Sequence, residues 1–295
     1  MTDDQIVVGI LHPGSMGAAV AGCAVSAGAQ VLWCPTGRGV ATAARAEHFG
    51  LEPVAGLSEL LERAEVLLSL CPPAAAENVA TEVASHGFNG LYVEANAISP
   101  ERAQRISELL AGSARAVVDG AVIGSPPSSS KRTRLFLSGP QQETSTVEAL
   151  FAGTAVSTPV LGPEIGQASA LKMAYTAYQK ASRVLAALSY GLAQHHGVGQ
   201  DLLEIAGGRS GSYLVETDYI PKVAARAWRW APEMDEAAET LRAAGLPGDV
   251  LHAVATTLRR WDEAKDDTTL TVGHALGLLA NSRDADADTP AVEFY

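Results

Sequence analysis

No apolar stretch in this chain is long enough to cross a membrane, so a spanning helix is not expected. Cysteine is scarce. Cys23, Cys34 and Cys71 are odd in number and lack metal-ligand spacing, so they read as reduced thiols in a cytoplasmic protein. Basic residues are few: 21 Lys and Arg face 33 Asp and Glu, a net charge of −12, which argues against nucleic acid as a partner. Thr2-Asp3-Asp4 lacks the basic start of a secretion signal. His195-His196 has no cysteine or carboxylate cluster beside it, and no metal site is expected there. What the chain does have is 295 residues that are 47% apolar, enough for a globular protein of about two domains.

The most informative segment is Ile6 to Gly17. A buried-strand pattern runs straight into His12-Pro13-Gly14-Ser15-Met16-Gly17 and then into a small-residue helix, Ala18 to Ala27. Such a turn brings a backbone close to a pyrophosphate at Gly14, lets helix and strand pack closely at Gly17, and points free helix N–H groups at phosphates. The dinucleotide fingerprint is Gly-x-Gly-x-x-Gly, and His12 stands where its first glycine belongs.

Residues 1 to about 160 alternate apolar runs with amphipathic helices. The runs are Ile6–Leu11, Gln30–Cys34, Val66–Cys71, Leu91–Ala95, Ala116–Asp119, Arg134–Ser138 and Val156–Pro159. Helices are expected at Leu57–Arg63, Ala74–Ser85 and Pro100–Leu110, which gives β-α-β units and a mostly parallel sheet. Ser125 to Lys131 reads as a loop between two late strands. From Ile165 to about His196 one long helix is expected, roughly 45 Å at about 1.5 Å per residue. It is apolar on more than one face and must be buried, most simply against a second subunit. Further helices follow at Ala224–Trp230, Met234–Ala244, His252–Trp261 and Leu270–Leu279, with Pro232 read as a break. The tail 282–295 is polar and acidic.

The second strand ends without the acidic residue that would hold a ribose 2′-hydroxyl. Thr36 and Arg38 stand there instead, suited to a 2′-phosphate, which favours NADP(H) over NAD(H). The alternative is an exposed turn arginine. Cys71, Pro72 and Asn96 close two further strands at the carboxyl edge, where ligands of such sheets bind; Asn96 is equally suited to a plain turn.

Three anchors resemble the β-hydroxyacid dehydrogenase and 6-phosphogluconate dehydrogenase superfamily, which includes the imine reductases. They are Val8 to Gly17, Asp119-Gly120-Ala121-Val122-Ile123-Gly124-Ser125, and Gly162 to Lys172. The stretches Trp228 to Met234 and Ala243 to Pro247 resemble a variant second domain that echoes imine reductases. The resemblance implies an α/β Rossmann domain (1–162), a long interdomain helix opening an all-α domain (163–281), and a homodimer in which the partner completes the active site. It implies a cofactor loop of His12, Pro13, Gly14, Ser15, Met16 and Gly17.

By the same resemblance Lys172 transfers the proton, and burial near a cofactor cleft suits a lysine to that task. The substrate positions fall on Ile123, Gly124, Ser125, Tyr175 and Thr176. Here the chain departs from the superfamily. Thr176 replaces an asparagine, Ile123 replaces a serine, and Pro232 and Glu233 stand where a basic residue is expected. These changes imply a larger or less acidic small-molecule substrate than a hydroxy acid. Three functions remain open: reduction of a carbonyl with NADPH, reduction of an imine on the same scaffold, and NADPH sensing without turnover.

Overall fold

The computed structural model describes residues 5–208 and 211–280. The chain divides into two compact units, Met1–Ala177 and Tyr178–Tyr295. The acidic tail expected at 282–295 lies outside the described residues.

The first unit is a nine-stranded sheet: β1 (Val7–Ile10), β2 (Gln30–Trp33), β3 (Glu52–Pro53), β4 (Val66–Ser69), β5 (Leu91–Glu94), β6 (Ala116–Ile123), β7 (Thr133–Ser138), β8 (Val156–Ser157) and β9 (Val160–Gly162). The order is β3-β2-β1-β4-β5-β6-β7-β8, with β9 also on β7. The first six strands are parallel and β7 turns back antiparallel on β6. Strand order reverses between β1 and β4, and a crevice at the carboxyl ends is where such sheets bind ligands.

Alternating side chains feed two apolar layers. Val8, Ile10, Val31, Trp33, Leu68 and Val93 pack on one face with α1 (Ser15–Ser26) and α6 (Gln141–Leu150). Leu32, Leu67 and Tyr92 pack on the other with α3 (Leu57–Arg63), α4 (Ala76–Ser85) and α5 (Pro100–Leu110). Four elements escape the sequence pattern: α2 (Val40–His48), α6, β3 and β9. β6 continues past Asp119 to Ile123, because Gly120 and Ala121 pair with Leu137 and Phe136 of β7.

The long helix α7 (Gln167–His195) runs across the boundary between the units. Within one chain the burial expected of it is incomplete. Ala168, Ser169 and Ala193 are buried, but Tyr175, Val184 and Tyr190 are exposed. The second unit adds α8 (Gly199–Gly207), α9 (Ile220–Ala243), α10 (Asp249–Leu258) and α11 (Val272–Ala280). Its core sets Ala224, Ala227 and Ala231 of α9 against Leu258, Trp261, Leu270 and Ala275. The expected break at Pro232 does not occur: α9 continues through it. Ala224, Ala227 and Ala231 before it and Ala238 and Leu241 after it are buried, so packing on both sides holds a helix that an interior proline weakens by about 3 kcal/mol. The fold is thus a Rossmann-like parallel sheet followed by a predominantly helical region.

Candidate functional site

β1 delivers Leu11, His12 and Pro13 to the carboxyl edge, where the chain turns into α1. The N–H of Gly14 donates to the carbonyl of His12 at 2.8 Å. His12 does not adopt a positive φ, so this tight turn does not require glycine there. A Cβ on Gly17 would lie 2.4 Å from the His12 carbonyl oxygen, so packing of α1 on the turn demands glycine. Gly14 is different. It has an ordinary extended backbone, and a Cβ there would meet nothing within 4 Å. Nothing in the folded chain explains its glycine, whereas a phosphate approaching the backbone would. Ser15 is exposed, Met16 packs partly on the core, and α1 has no side-chain cap on its first-turn N–H groups.

His12, Thr36 and Arg38 come together around one cavity of about 250 Å³. Leu57, Leu60 and Val79 form its apolar wall, and Glu82 of α4 also lines it. The Arg38 guanidinium donates to the Leu11 carbonyl at 3.3 Å, which holds it against the end of β1. The Nδ1 of His12 is shielded and has no hydrogen-bond partner. Burial, with the neighbouring Arg38 charge, pushes the His12 pKa down to about 4. The imidazole is therefore neutral near pH 7.

Cys71, Pro72 and Asn96 lie outside that cavity, at the ends of β4 and β5. Cys71 is buried, and burial, with the nearby Glu94 carboxylate, pushes its thiol pKa up. Pro72 is exposed before a short 3₁₀ turn. Asn96 is buried; its amide donates to Ser69 Oγ at 2.9 Å and its backbone N–H to Glu94 Oε1 at 2.9 Å. It is thus a braced residue rather than a free turn. The second carboxylate oxygen of Glu94, the Tyr92 hydroxyl and Asn96 Oδ1 are all buried without a partner. Burial chiefly, and then the Asp119 carboxylate, raise the Glu94 pKa to about 7 against the Asn96 hydrogen bonds.

β6 holds the start of α7. Asp119 Oδ2 accepts from the N–H groups of Gly166 (2.9 Å) and Ser169 (3.0 Å) and from Ser138 Oγ (3.1 Å). Its Oδ1 accepts from Ser169 Oγ at 2.6 Å. One turn beyond Ser169, the Lys172 ammonium donates to the Val122 carbonyl at 2.6 Å. That bond brings Lys172 beside Ile123, Gly124 and Ser125, which follow Val122 directly. Gly124 has φ +140°, a conformation side chains rarely adopt, and a Cβ would crowd Thr133 at 3.2 Å. The Thr133 hydroxyl donates to the Ser125 carbonyl. Thr176 is half-buried and Tyr175 exposed on the same helix.

Sequence reasoning missed the roles of Glu94 and Asp119. The signal was an acidic residue inside an otherwise apolar strand, Leu-Tyr-Val-Glu and Ala-Val-Val-Asp, which is costly unless partnered. The residues fit a dinucleotide: open space at Gly14, an uncapped helix start, and a cavity carrying a guanidinium and a hydroxyl.

Residues 7–162 match the family described as the NAD binding domain of 6-phosphogluconate dehydrogenase. Residues 193–261 match a domain of unknown function, DUF1932. Among solved structures, a conserved protein of unknown function, itself described as similar to 3-hydroxyacid dehydrogenases, is 24% identical (TM-score 0.57), covering 88% of this chain and 99% of that one. The Streptomyces aurantiacus imine reductase is 19% identical with a TM-score of 0.70, over 92% and 99% of the two chains. The Aspergillus terreus reductive aminase, solved with NADPH and ethyl-5-oxohexanoate, is 18% identical with a TM-score of 0.66, over 87% and 93%. These likenesses show a shared fold.

Proposed function

Because the chain belongs to the family of the NAD-binding domain of 6-phosphogluconate dehydrogenase, we propose that it is a cytoplasmic NADPH-dependent reductase of a carbonyl compound, with Lys172 as proton donor. The dinucleotide supplies the hydride when bound. The backbone from Pro13 to Gly17 would hold its pyrophosphate, Thr36 and Arg38 its 2′-phosphate, and Cys71, Pro72 and Asn96 would line the opposite end. Lys172 gives a proton to the substrate oxygen, and Gly124 and Ser125 offer backbone and hydroxyl hydrogen bonds. Ile123 supplies an apolar wall, which suits a larger, less acidic substrate than a hydroxy acid; Tyr175 and Thr176 complete that side.

The observation that carries this proposal is the Lys172 ammonium, held 2.6 Å from the Val122 carbonyl at the carboxyl end of β6. A cation fixed at the ligand-binding edge of the sheet, beside a loop with a forced glycine, supports a role in proton transfer over one in solubility. Exposed Tyr175, Val184 and Tyr190 on α7, with Leu203 and Ile205 on α8, support a homodimer whose second copy covers them.

Imine reduction is the second reading, favoured by the shared fold with imine reductases along most of the chain. Fluorescence titration with NADPH and NADH comes first, with Arg38→Ala alongside. NADPH binding that weakens about tenfold on loss of Arg38, with NADH little changed, is expected. Ketones and imines are then assayed in parallel with Lys172→Ala. Carbonyl turnover should fall at least about 100-fold while NADPH affinity holds. Normal ketone turnover by that variant would refute the assigned proton donor, and turnover confined to imines would favour the second reading.

A further inference from the structure

The cavity at the ends of β1 and β2 has a charge balance of its own. Its fixed cation is Arg38, and Glu82 lines it with a carboxylate. A 2′-phosphate carries about −1.5 to −2 near neutral pH. One guanidinium offsets at most one of those charges, and Glu82 adds a carboxylate to the same lining. Among the lining residues, His12 is the only other side chain able to become a cation.

His12 is also a residue the turn does not need. Its backbone does not require glycine, and its imidazole serves no hydrogen bond within the chain through Nδ1, which is shielded and unpartnered. A buried, unpaired ring nitrogen costs stability until something binds it. Burial first, and then the Arg38 guanidinium anchored on the neighbouring Leu11 carbonyl, keep the ring neutral while the cavity holds no anion. An arriving dianion reverses that field.

We propose that His12 is the third group of the 2′-phosphate site, and that its imidazole takes a proton from solvent as the phosphate binds. Discrimination for NADPH over NADH then strengthens as pH falls. The inference rests on the NADPH reading above and goes beyond it, because it makes cofactor choice depend on pH through a residue that replaces a fingerprint glycine. The groups facing His12 are Arg38 and Cys34 from the β2 side and Glu82 from α4. Without ligand, burial and Arg38 hold the His12 pKa at about 4, so the unbound ring is neutral across the working range.

Isothermal titration of the full chain with NADPH and NADH tests this. It is run from pH 5.5 to 8 in buffers of different ionisation heat, with His12→Gln and His12→Gly beside the wild type. The wild type should take up protons with NADPH and not with NADH, and its NADPH-to-NADH affinity ratio should rise about tenfold between pH 8 and pH 6. Both variants should lose the uptake and the rise; an unchanged far-UV circular dichroism spectrum shows that they fold. The free 2′-phosphate titrates near pH 6 and tends to release its proton on binding, so the difference between wild type and His12→Gln isolates the imidazole. If NADPH binds but the variants keep the wild-type pH profile and the wild-type proton count, the role of His12 is overturned and the cofactor reading stands. If NADPH does not bind at all, both are overturned.

Discussion

Glu94 ends β5 and His12 follows β1, two strands away in the sheet, and the two pull stability in opposite directions with pH. Glu94 titrates at about 7 in the folded chain and near 4.5 when unfolded. Between those values the folded state binds more protons, so this residue's contribution falls as pH rises from about 4.5 to about 7. The loss is roughly 3 kcal/mol, because the group is almost wholly buried. His12 behaves in reverse. Its pKa drops from 6.5 to about 4, so its contribution is full above 6.5 and is lost as pH falls through 4. Glu94→Gln should therefore flatten the decline in urea midpoint between pH 5 and 8 and leave the acid limb unchanged. An unaltered decline would show that Glu94 has a partner in the folded state that its geometry does not reveal. Neither behaviour could be read from the sequence. An acidic residue closing an apolar run announces a site, but the groups that surround it come from β4 and β6, distant in the chain.

At the scale of elements, legibility followed the strength of the apolar stripe. α3 and α5 were readable to the residue because their leucines and isoleucine recur at helical spacing, and Ser99-Pro100 marks the start of α5 by a cap and a first-turn proline. α2 gave no such stripe, since Ala46 is its one buried residue. In α6 the buried positions Thr144, Val147 and Leu150 lie among polar neighbours. Pro232 misled for the opposite reason: a local breaker was overruled by the tertiary packing of three alanines. The start of α7 is an element whose cap is entirely non-local. Asp119→Asn replaces a carboxylate oxygen that collects up to three donors and should cost about 2–4 kcal/mol in chemical denaturation. Ser169→Ala, which removes one hydroxyl donor, should cost about 1 kcal/mol. Equal losses in the two variants would contradict a carboxylate-centred network.

Considered whole, the chain pairs a well-buried sheet unit with a helical unit rich in exposed apolar side chains. Val184 and Tyr190 on α7 and Ile205 on α8 are respectively 48%, 41% and 78% exposed. Val184→Glu with Tyr190→Lys should convert a dimer to a monomer in light scattering after size exclusion, with NADPH binding retained by the sheet unit. A wild-type monomer at micromolar concentration would defeat the dimer proposal. The sequence anticipated a helix in need of cover, because length and apolar pattern are local properties; which surface covers it is not.

The attachment of α7 to β6 also fixes an order of assembly. The carboxylate that receives the first turn of α7 lies 47 and 50 residues earlier in the chain than its donors. As the polypeptide leaves the ribosome, β6 emerges well before Gly166 and Ser169, and the acceptor must wait. Until β6 has entered the sheet, the helix start has nothing to hold it, and closing so long a loop is an entropic cost that only the finished sheet repays. Lys172 reaches the Val122 carbonyl on that same strand, so its placement depends on the same long-range closure.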